Sequence, residues 1–184
     1  MGVGKGGRFI ITGGPGSGKS TLLHALKGRG FGGYREVSRD IIRREARREG
    51  GVLPWTDLEA FSRLAVRAIL RQHAHALRRR DTCFFDRGLP DVFGYLRHAG
   101  LDVPGEYLEA HGRCRYSSTV FILPYWEEIY VNDAERPQSP EEAASLSRSI
   151  RDAYGSLGYW LLEVPKAGVE ERADFVLREA GAGR

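Results

Sequence analysis

The sequence predicts an α/β fold in which a parallel five-stranded sheet is covered by helices on both faces. Two observations predict it: five short apolar runs alternate with helix-type segments, and a glycine-rich loop joins the first run to the first helix. Parallel strands require helical crossovers, because the chain must travel back along the sheet before the next strand begins.

Strands are predicted where β-branched and aromatic residues cluster and then stop. The first run, Phe-Ile-Ile-Thr, stops at glycines, the second ends at Glu36-Val37, and the third is closed by Asp86. The fourth and fifth runs are bounded by polar or turn-forming residues. The predicted strands cover residues 9–12, 34–37, 82–85, 118–123 and 159–164.

Helices are predicted from the spacing of apolar residues and from signals at their ends. Gly50-Gly51 would stop the second helix, and the segment Pro-Trp-Thr-Asp at 54–57 would open a long third one. The predicted helices cover residues 20–27, 41–49, 56–80, 89–98, a short segment after Pro104, 141–154 and 169–180. No repeat or linker interrupts the pattern, so we expect a single domain over residues 1–184.

Composition narrows the class of protein. The 184 residues include 41% hydrophobic and 28% charged side chains, which suits one domain with a buried core. No apolar run approaches the roughly 18–20 residues needed to cross a bilayer, and the first residues lack a secretory signal. Cys83 and Cys114 do not have metal-ligand spacing. We therefore expect a cytoplasmic protein with reduced thiols and no membrane span.

The formal net charge is +4, and the positive residues are nearly all arginines. A basic chain can bind nucleic acid or polyphosphates. The arginine runs at 43–44, 47–48 and 78–80 lie in helical stretches, so we interpret them as solvated helix faces and do not expect nucleic-acid binding. Lysine occurs only at positions 5, 19, 27 and 166, which makes Lys19 chemically distinctive.

The segment from Gly13 to Ser20 matches the phosphate-binding pattern G-x-x-x-x-G-K-[ST] at every fixed position. Its glycines let successive backbone amides converge on phosphate, and the following helix directs its positive end there. We expect Lys19 to face solvent and reach the β and γ phosphates, and the Ser20 hydroxyl to ligate Mg²⁺. The predicted nucleotide-binding residues are Gly13, Gly14, Pro15, Gly16, Ser17, Gly18, Lys19, Ser20 and Thr21.

Acidic and basic residues follow two of the predicted strands, where a parallel sheet should bring them beside this loop. Asp86 would serve Mg²⁺ or accept a proton, and Arg87 would bind a second anion or the transferred phosphoryl group. The alternative is a surface ion pair. Glu36 could accept the proton of an acceptor hydroxyl while Arg39 orients that acceptor. The alternative is helix capping or pairing with the helix dipole. We predict Glu36, Arg39 and Arg87 as substrate-binding residues.

A polar segment near residues 132–145 is a candidate lid. Its Asp-Ala-Glu-Arg sequence ends at Arg136, which would close over the phosphates as a catalytic arginine. An ordinary solvated loop is the alternative.

The sequence resembles a family of predicted P-loop ATPases or kinases, the AAA-domain group related to the ribosylnicotinamide kinase domain. The resemblance rests on the P-loop, on Glu36-x-x-Arg39 and on a set of further motifs: 53–55 (Leu-Pro-Trp), 85–91 (Phe-Asp-Arg-Gly-Leu-Pro-Asp), 125–130, 133–136, 154–159, 164–165 and 169–172. It implies a nucleotide-kinase fold with sheet order 2-3-1-4-5, and Asp86-Arg87 resembles the Asp-Arg pair of thymidylate and deoxynucleoside kinases. It also implies that the Pro165 loop passes near the nucleobase.

These observations lead to a primary hypothesis of a phosphotransferase that moves the γ-phosphate of Mg·ATP to a small nucleoside-like or nucleotide-like acceptor. A slow NTPase acting as a nucleotide-dependent binding module is the alternative, and a polynucleotide 5′-kinase is a third. The guanine-specific Asn-Lys-x-Asp tetrad is absent, which favours ATP and leaves GTP open.

Overall fold

The computed structural model describes residues 6–114, 116–126 and 140–182. Its strands are β1 Arg8–Gly13, β2 Gly32–Tyr34, β3 Cys83–Asp86, β4 Thr119–Leu123 and β5 Trp160–Glu163. These five strands form one sheet in the order β2-β3-β1-β4-β5, and every neighbouring pair is parallel. The predicted α/β class and the sheet order are therefore confirmed.

Helices cover both faces of this sheet because alternate strand residues point in opposite directions. Phe9 and Ile11 pack with the helices α1 and α7, whereas Ile10 and Phe85 pack with α6. The helices are α1 Lys19–Gly28, α2 Val37–Glu45, α3 Leu58–Ala76, α4 Leu89–His98, α5 Gly105–Gly112, α6 Pro140–Ser156 and α7 Val169–Glu179. Within the described ranges, no helix has the length and apolar character that crossing a membrane requires.

The second strand and second helix begin earlier than the sequence predicts. The predicted strand at 34–37 is wrong, because β2 spans Gly32–Tyr34 and Val37 already belongs to α2. Parallel pairing with β3, which places Gly32 opposite Cys83, overrides the low strand propensity of glycine. Helix α2 consequently ends at Glu45, before the glycines that were expected to stop it.

The long third helix is shorter at both ends than its predicted range of 56–80. It begins at Leu58, where the Asp57 carboxylate accepts a hydrogen bond of 2.8 Å from the Ala60 amide. It ends at Ala76, whose carbonyl oxygen accepts hydrogen bonds from Nε and Nη2 of the buried Arg8 at 3.1 and 2.7 Å. A side chain 68 residues away in sequence therefore caps this helix end, a contact that local sequence signals do not predict.

Helices α4 and α6 approach closely at Gly94. A Cβ atom at this position would lie 2.7 Å from the Ile150 Cα atom, and the Ser149 hydroxyl donates to the Gly94 carbonyl oxygen at 2.9 Å. Two of the three nearest atoms belong to the Ile150 backbone, so a side chain at Gly94 would force the two helices apart.

We expect Gly94→Ala to lower the free energy of unfolding by about 1–3 kcal/mol through this overpacking. The matched control is Gly155→Ala on α6, where a Cβ would meet nothing within 4 Å. That control should raise the free energy of unfolding by roughly 0.5–1 kcal/mol, because alanine restricts the unfolded chain. Urea denaturation measures both, and equal stabilities for the two variants would contradict the close approach.

Candidate functional site

The phosphate-binding loop lies where the sequence places it, between the end of β1 and the start of α1. Gly13, Gly16 and Gly18 have φ values of 138°, 71° and 85°, which other residues adopt only with strain. A Cβ at Gly13 would lie 2.4 Å from the Leu123 carbonyl oxygen. The loop can therefore keep this path only with glycine at position 13.

Lys19 is buried, with 3% of its surface exposed, so the expectation that it faces solvent is wrong. Its Nζ donates hydrogen bonds to the carbonyl oxygens of Gly13 at 3.0 Å and Gly14 at 2.7 Å. The curved loop directs these carbonyls inward, and the ammonium group satisfies them. The Lys19 amine thus lies inside the phosphate-binding loop.

Asp86 ends β3 beside this loop and meets the first turn of α1. Its Oδ2 accepts a hydrogen bond from the Ser20 hydroxyl at 2.8 Å. The carboxyl group is buried, and burial raises its pKa above the usual range, with Glu36 adding to the increase while nearby Lys19 opposes it. Within the described part of the chain, Asp86 Oδ1 has no hydrogen-bond partner.

This pair of side chains fits a magnesium ion. Mg²⁺ prefers oxygen ligands, and the Ser20 hydroxyl and Asp86 carboxylate supply two neighbouring ones beside the loop. The buried Oδ1 atom, which has no partner among the residues that the structure describes, is an uncompensated polar group that a cation would satisfy. Among the described residues there is no cluster of three or more His, Cys, Asp or Glu side chains able to hold a metal without help from a bound nucleotide.

Arg87 follows Asp86 and is buried too, so the alternative of a surface ion pair does not apply. Its Nε lies 3.1 Å from Glu36 Oε1, and its Nη1 lies 2.8 Å from Asp91 Oδ1 and 3.3 Å from the Gly13 carbonyl oxygen. Burial alone would lower the pKa of Arg87, but Tyr95 and the surrounding carboxylates outweigh it and hold that pKa above its ordinary value. The guanidinium is therefore a permanent cation beneath the loop.

Glu36 lies at the start of α2, and its side chain makes no capping hydrogen bond to that helix. Instead, one carboxylate oxygen bonds to Arg87 and the other lies 4.0 Å from Arg39 Nε. Helix capping by a Glu36 side-chain hydrogen bond is thus excluded, while the place of Glu36 at the N-terminus of α2 is compatible with helix-dipole pairing. The structure also brings Glu36, Arg39 and Arg87 together as one charged group.

Two other predicted site residues, Arg136 and Pro165, stay predictions. Arg136 and the residues 132–139 of the expected lid lie outside the described residues. Residues 140–145 form the first turns of α6. Pro165 lies exposed in the loop between β5 and α7, and its suggested place near a nucleobase stays a prediction.

A cavity of about 230 Å³ opens beside the charged group, between α2, α3 and α4. Pro15 of the phosphate-binding loop lines this cavity, as do Glu36, Arg39 and Arg87. The remaining wall is mostly apolar, and Trp55, which is 57% exposed, also lines the cavity. The apolar lining includes Ile42, Pro54, Leu58, Phe61 and Val92. This shape and chemistry suit a small molecule with an apolar body and a polar end.

Comparison with known proteins identifies the family. A family model described as an AAA domain matches residues 8–172. The chain belongs to this AAA domain family. A search of the curated proteins gave no significant match.

Solved structures similar to this AAA domain protein include two kinases and the NadR protein. Deoxyadenosine kinase from M. mycoides, with dCMP and dCDP bound, has a TM-score of 0.69 and 14% identity over 96% of this chain and 100% of its own. NadR protein in complex with NR has a TM-score of 0.76 and 13% identity over 97% of this chain and 53% of its own. Thymidylate kinase from Ehrlichia chaffeensis has a TM-score of 0.64 and 12% identity over 95% and 98%. These likenesses confirm the predicted P-loop kinase fold.

Sequence analysis assigned no role to three residues that this AAA domain fold brings to the site. Trp55 and Asp91 belong to motifs that carried the resemblance, yet nothing in those motifs indicates what they contact. Tyr95 lines the cavity, and the Arg87 guanidinium carbon lies 5.5 Å from the centre of its ring. Asp91 carried one local signal, since Pro90 and Asp91 follow Gly88 as expected at the start of a helix.

Proposed function

We propose that this AAA domain protein is a kinase that transfers the γ-phosphate of ATP to a hydroxyl group of a small, uncharged acceptor bound in the cavity. The observation that carries the proposal is the lining of the cavity, which includes Pro15 of the phosphate-binding loop as well as the charged residues Glu36, Arg39 and Arg87. Donor phosphate and acceptor hydroxyl would therefore meet at Glu36, Asp86 and Arg87. A plain NTPase has no need of an apolar cavity there.

In the proposed reaction, the acceptor oxygen forms a bond to the γ-phosphorus, the bond from that phosphorus to the β–γ bridging oxygen breaks, and ADP leaves. Glu36 takes the acceptor proton, because it lines the cavity and its carboxylate contacts Arg87, which in turn contacts the loop at Gly13. Lys19 and Arg87 supply positive charge for the phosphates. Ser20 and Asp86 would hold Mg²⁺, which when bound neutralises charge on the phosphate oxygens.

The charge of the cavity favours an uncharged acceptor over a phosphorylated one. The two arginines that line it are already matched, since Arg87 contacts Glu36 and Asp91, and Arg39 lies near Glu36. A phosphate on the acceptor would approach the Glu36 carboxylate at 12% exposure, where water screens repulsion poorly. Nucleosides and similar polyols with an apolar ring fit this environment.

The test is a panel of nucleosides, their 5′-monophosphates and vitamin precursors, assayed for ADP release from Mg·ATP. We expect at least one uncharged acceptor to accelerate ADP release, and its monophosphate to be about tenfold poorer because of like-charge repulsion. Faster release with monophosphates would show that the acceptor class is wrong. Slow release unaffected by every acceptor would support the nucleotide-dependent binding module instead.

Trp55 provides a variant for the same assay. We expect Trp55→Ala to raise the acceptor KM by about tenfold, because an exposed aromatic side chain lining a cavity supplies contact area to a ligand. Its Kd for Mg·ATP, measured by calorimetry, should stay unchanged. The matched control is Trp160→Ala on β5, a residue that is 69% exposed and does not line the cavity. An acceptor KM that changes equally in both variants would place the acceptor elsewhere.

A further inference from the structure

A buried hydrogen-bond network lies behind Arg87, and none of the roles described above accounts for it. At its centre is Asp91, which is 2% exposed in the first turn of α4. Its Oδ1 accepts hydrogen bonds from Thr12 Oγ1 at 2.6 Å and Arg87 Nη1 at 2.8 Å. Its Oδ2 accepts from the Gly88 amide at 2.9 Å and the Tyr154 hydroxyl at 2.5 Å. A carboxylate has about four acceptor positions, so this one is fully used.

The donors come from separate parts of the fold. Thr12 belongs to β1, Arg87 and Gly88 follow β3, and Tyr154 belongs to α6, 63 residues from Asp91 in the chain. The Asp91 carboxylate therefore ties the strand that precedes the phosphate-binding loop to the helix that packs on α4.

Arg87 needs fixed partners to keep its backbone and side-chain conformation. Among the described residues it is the only non-glycine residue with positive φ, at 75°, a conformation that costs roughly 1–2 kcal/mol. Its buried guanidinium can point in one direction only if its partners are fixed. Glu36 belongs to the cavity wall and contacts Arg39 as well, whereas Asp91 is held by four donors. Asp91 is thus the more rigid of the two carboxylates that hold Arg87.

Tyr154 reaches Asp91 because α4 and α6 approach at Gly94 and Ile150. Tyr154 is fully buried, and burial together with Asp91 raises its pKa well above the ordinary value, so its hydroxyl remains a donor. Towards its other end, α6 contacts the phosphate-binding loop, since a Cβ at Gly14 would lie 3.4 Å from the Ala143 carbonyl oxygen. Helix α6 therefore contacts the phosphate-binding loop directly, and it is connected to Arg87 through Asp91.

We propose that Asp91 is a positioning residue that fixes the Arg87 guanidinium for the phosphate site, and that Tyr154 and Thr12 fix Asp91. The catalytic part of this inference rests on the proposed kinase function. The positioning part does not, because the state of the Arg87 side chain can be observed without any reaction.

The experiment compares two pairs of variants. Tyr154→Phe removes only the hydroxyl that bonds to Asp91. Its control is Tyr159→Phe, which removes a hydroxyl 3.3 Å from His111 in a ring that packs against Tyr154 at 5.5 Å between centroids. Thr12→Val removes the other hydroxyl donor at nearly constant volume, and Thr12→Ser restores a hydroxyl. If Tyr154→Phe fails to fold, the Thr12 pair makes the same comparison.

The first readout is the NMR signal of the Arg87 Nε–H group, assigned by its loss in Arg87→Lys. We expect this signal to shift and to exchange faster with solvent in Tyr154→Phe and Thr12→Val, and to match wild type in Tyr159→Phe and Thr12→Ser. A signal unchanged in both Tyr154→Phe and Thr12→Val would overturn the positioning role.

The second readout is kinetic. We expect kcat to fall about tenfold in Tyr154→Phe and Thr12→Val, because a misplaced charge loses transition-state stabilisation, while the KM for ATP stays near wild type. A shifted Arg87 signal with unchanged kcat would refute the link to the phosphate site. A shifted signal in a protein that phosphorylates no acceptor would support the positioning role and count against the kinase function.

Discussion

Asp86→Asn is expected to lower turnover by about 10²-fold or more, because magnesium positioning or proton acceptance is lost. The affinity for ATP should fall much less, since the loop, Lys19 and the start of α1 remain. Steady-state ADP release and calorimetry separate the two effects. Turnover within about threefold of wild type would mean that Asp86 is structural.

Protein stability provides an internal control for this variant. Burial raises the pKa of Asp86, so the folded protein binds its proton more readily than the unfolded chain does. The contribution of Asp86 to the free energy of unfolding is therefore greatest at low pH, and it declines as pH rises from the ordinary value of 3.8 through the raised pKa. Asparagine cannot ionise, so this decline should disappear.

At neutral pH, Asp86→Asn should consequently melt at a temperature no lower than wild type while being nearly inactive. Asp102→Asn, an exposed position outside the site, is the matched control and should change neither property. A variant that is both inactive and markedly less stable would indicate that Asp86 supports the fold, because loss of structure would then explain the loss of turnover.

Lys19→Met is expected to weaken the binding of Mg·ATP by about 10²-fold, equivalent to roughly 3 kcal/mol of charge-assisted hydrogen bonding. Methionine keeps an unbranched side chain of similar length, which matters because Lys19 is buried inside the loop. Alanine would add a packing defect to the loss of charge, so its effect would be harder to interpret.

Lys27→Met is the matched control for Lys19→Met. Lys27 belongs to the last turn of the same helix and is exposed, so its replacement should leave the affinity for Mg·ATP unchanged. Calorimetry measures both affinities, and circular dichroism verifies that both variants are folded. Wild-type affinity in Lys19→Met would contradict the assignment of the phosphate-binding loop.

Much of the fold could be predicted because its signals are local. The strand β1, the loop with its glycines and the helix α1 occupy consecutive residues, so the pattern from Gly13 to Ser20 identifies all three at once. The sheet order followed from the family resemblance, since no local signal determines which strands become neighbours. The start of β2 was missed because Gly32 pairs with Cys83, and glycine gives no strand signal.

The sequence predicted which residues form the site better than it predicted the contacts between them. Asp86, Arg87, Glu36 and Arg39 were all expected near the loop, because parallel strands end at one edge of a sheet. The burial of Lys19 was not foreseen, since it depends on which way the Gly13 and Gly14 carbonyls point. The contact between Tyr154 and Asp91 joins residues 63 positions apart, and it exists only because Gly94 lets two helices approach.

At Asp86 and Arg87, the residues at the end of β3, the requirements of stability differ from those of the site. Glycine at position 87 would adopt the same backbone angles without strain, but it would leave the buried Asp91 carboxylate and the Glu36 carboxylate without their guanidinium partner. At position 86, an uncharged side chain would avoid burying an ionisable carboxyl. Stability-driven redesign would therefore replace Asp86 early, and it would erase the chemistry of the site before disturbing the sheet. Automated stabilisation of this protein should hold residues 86 and 87 fixed.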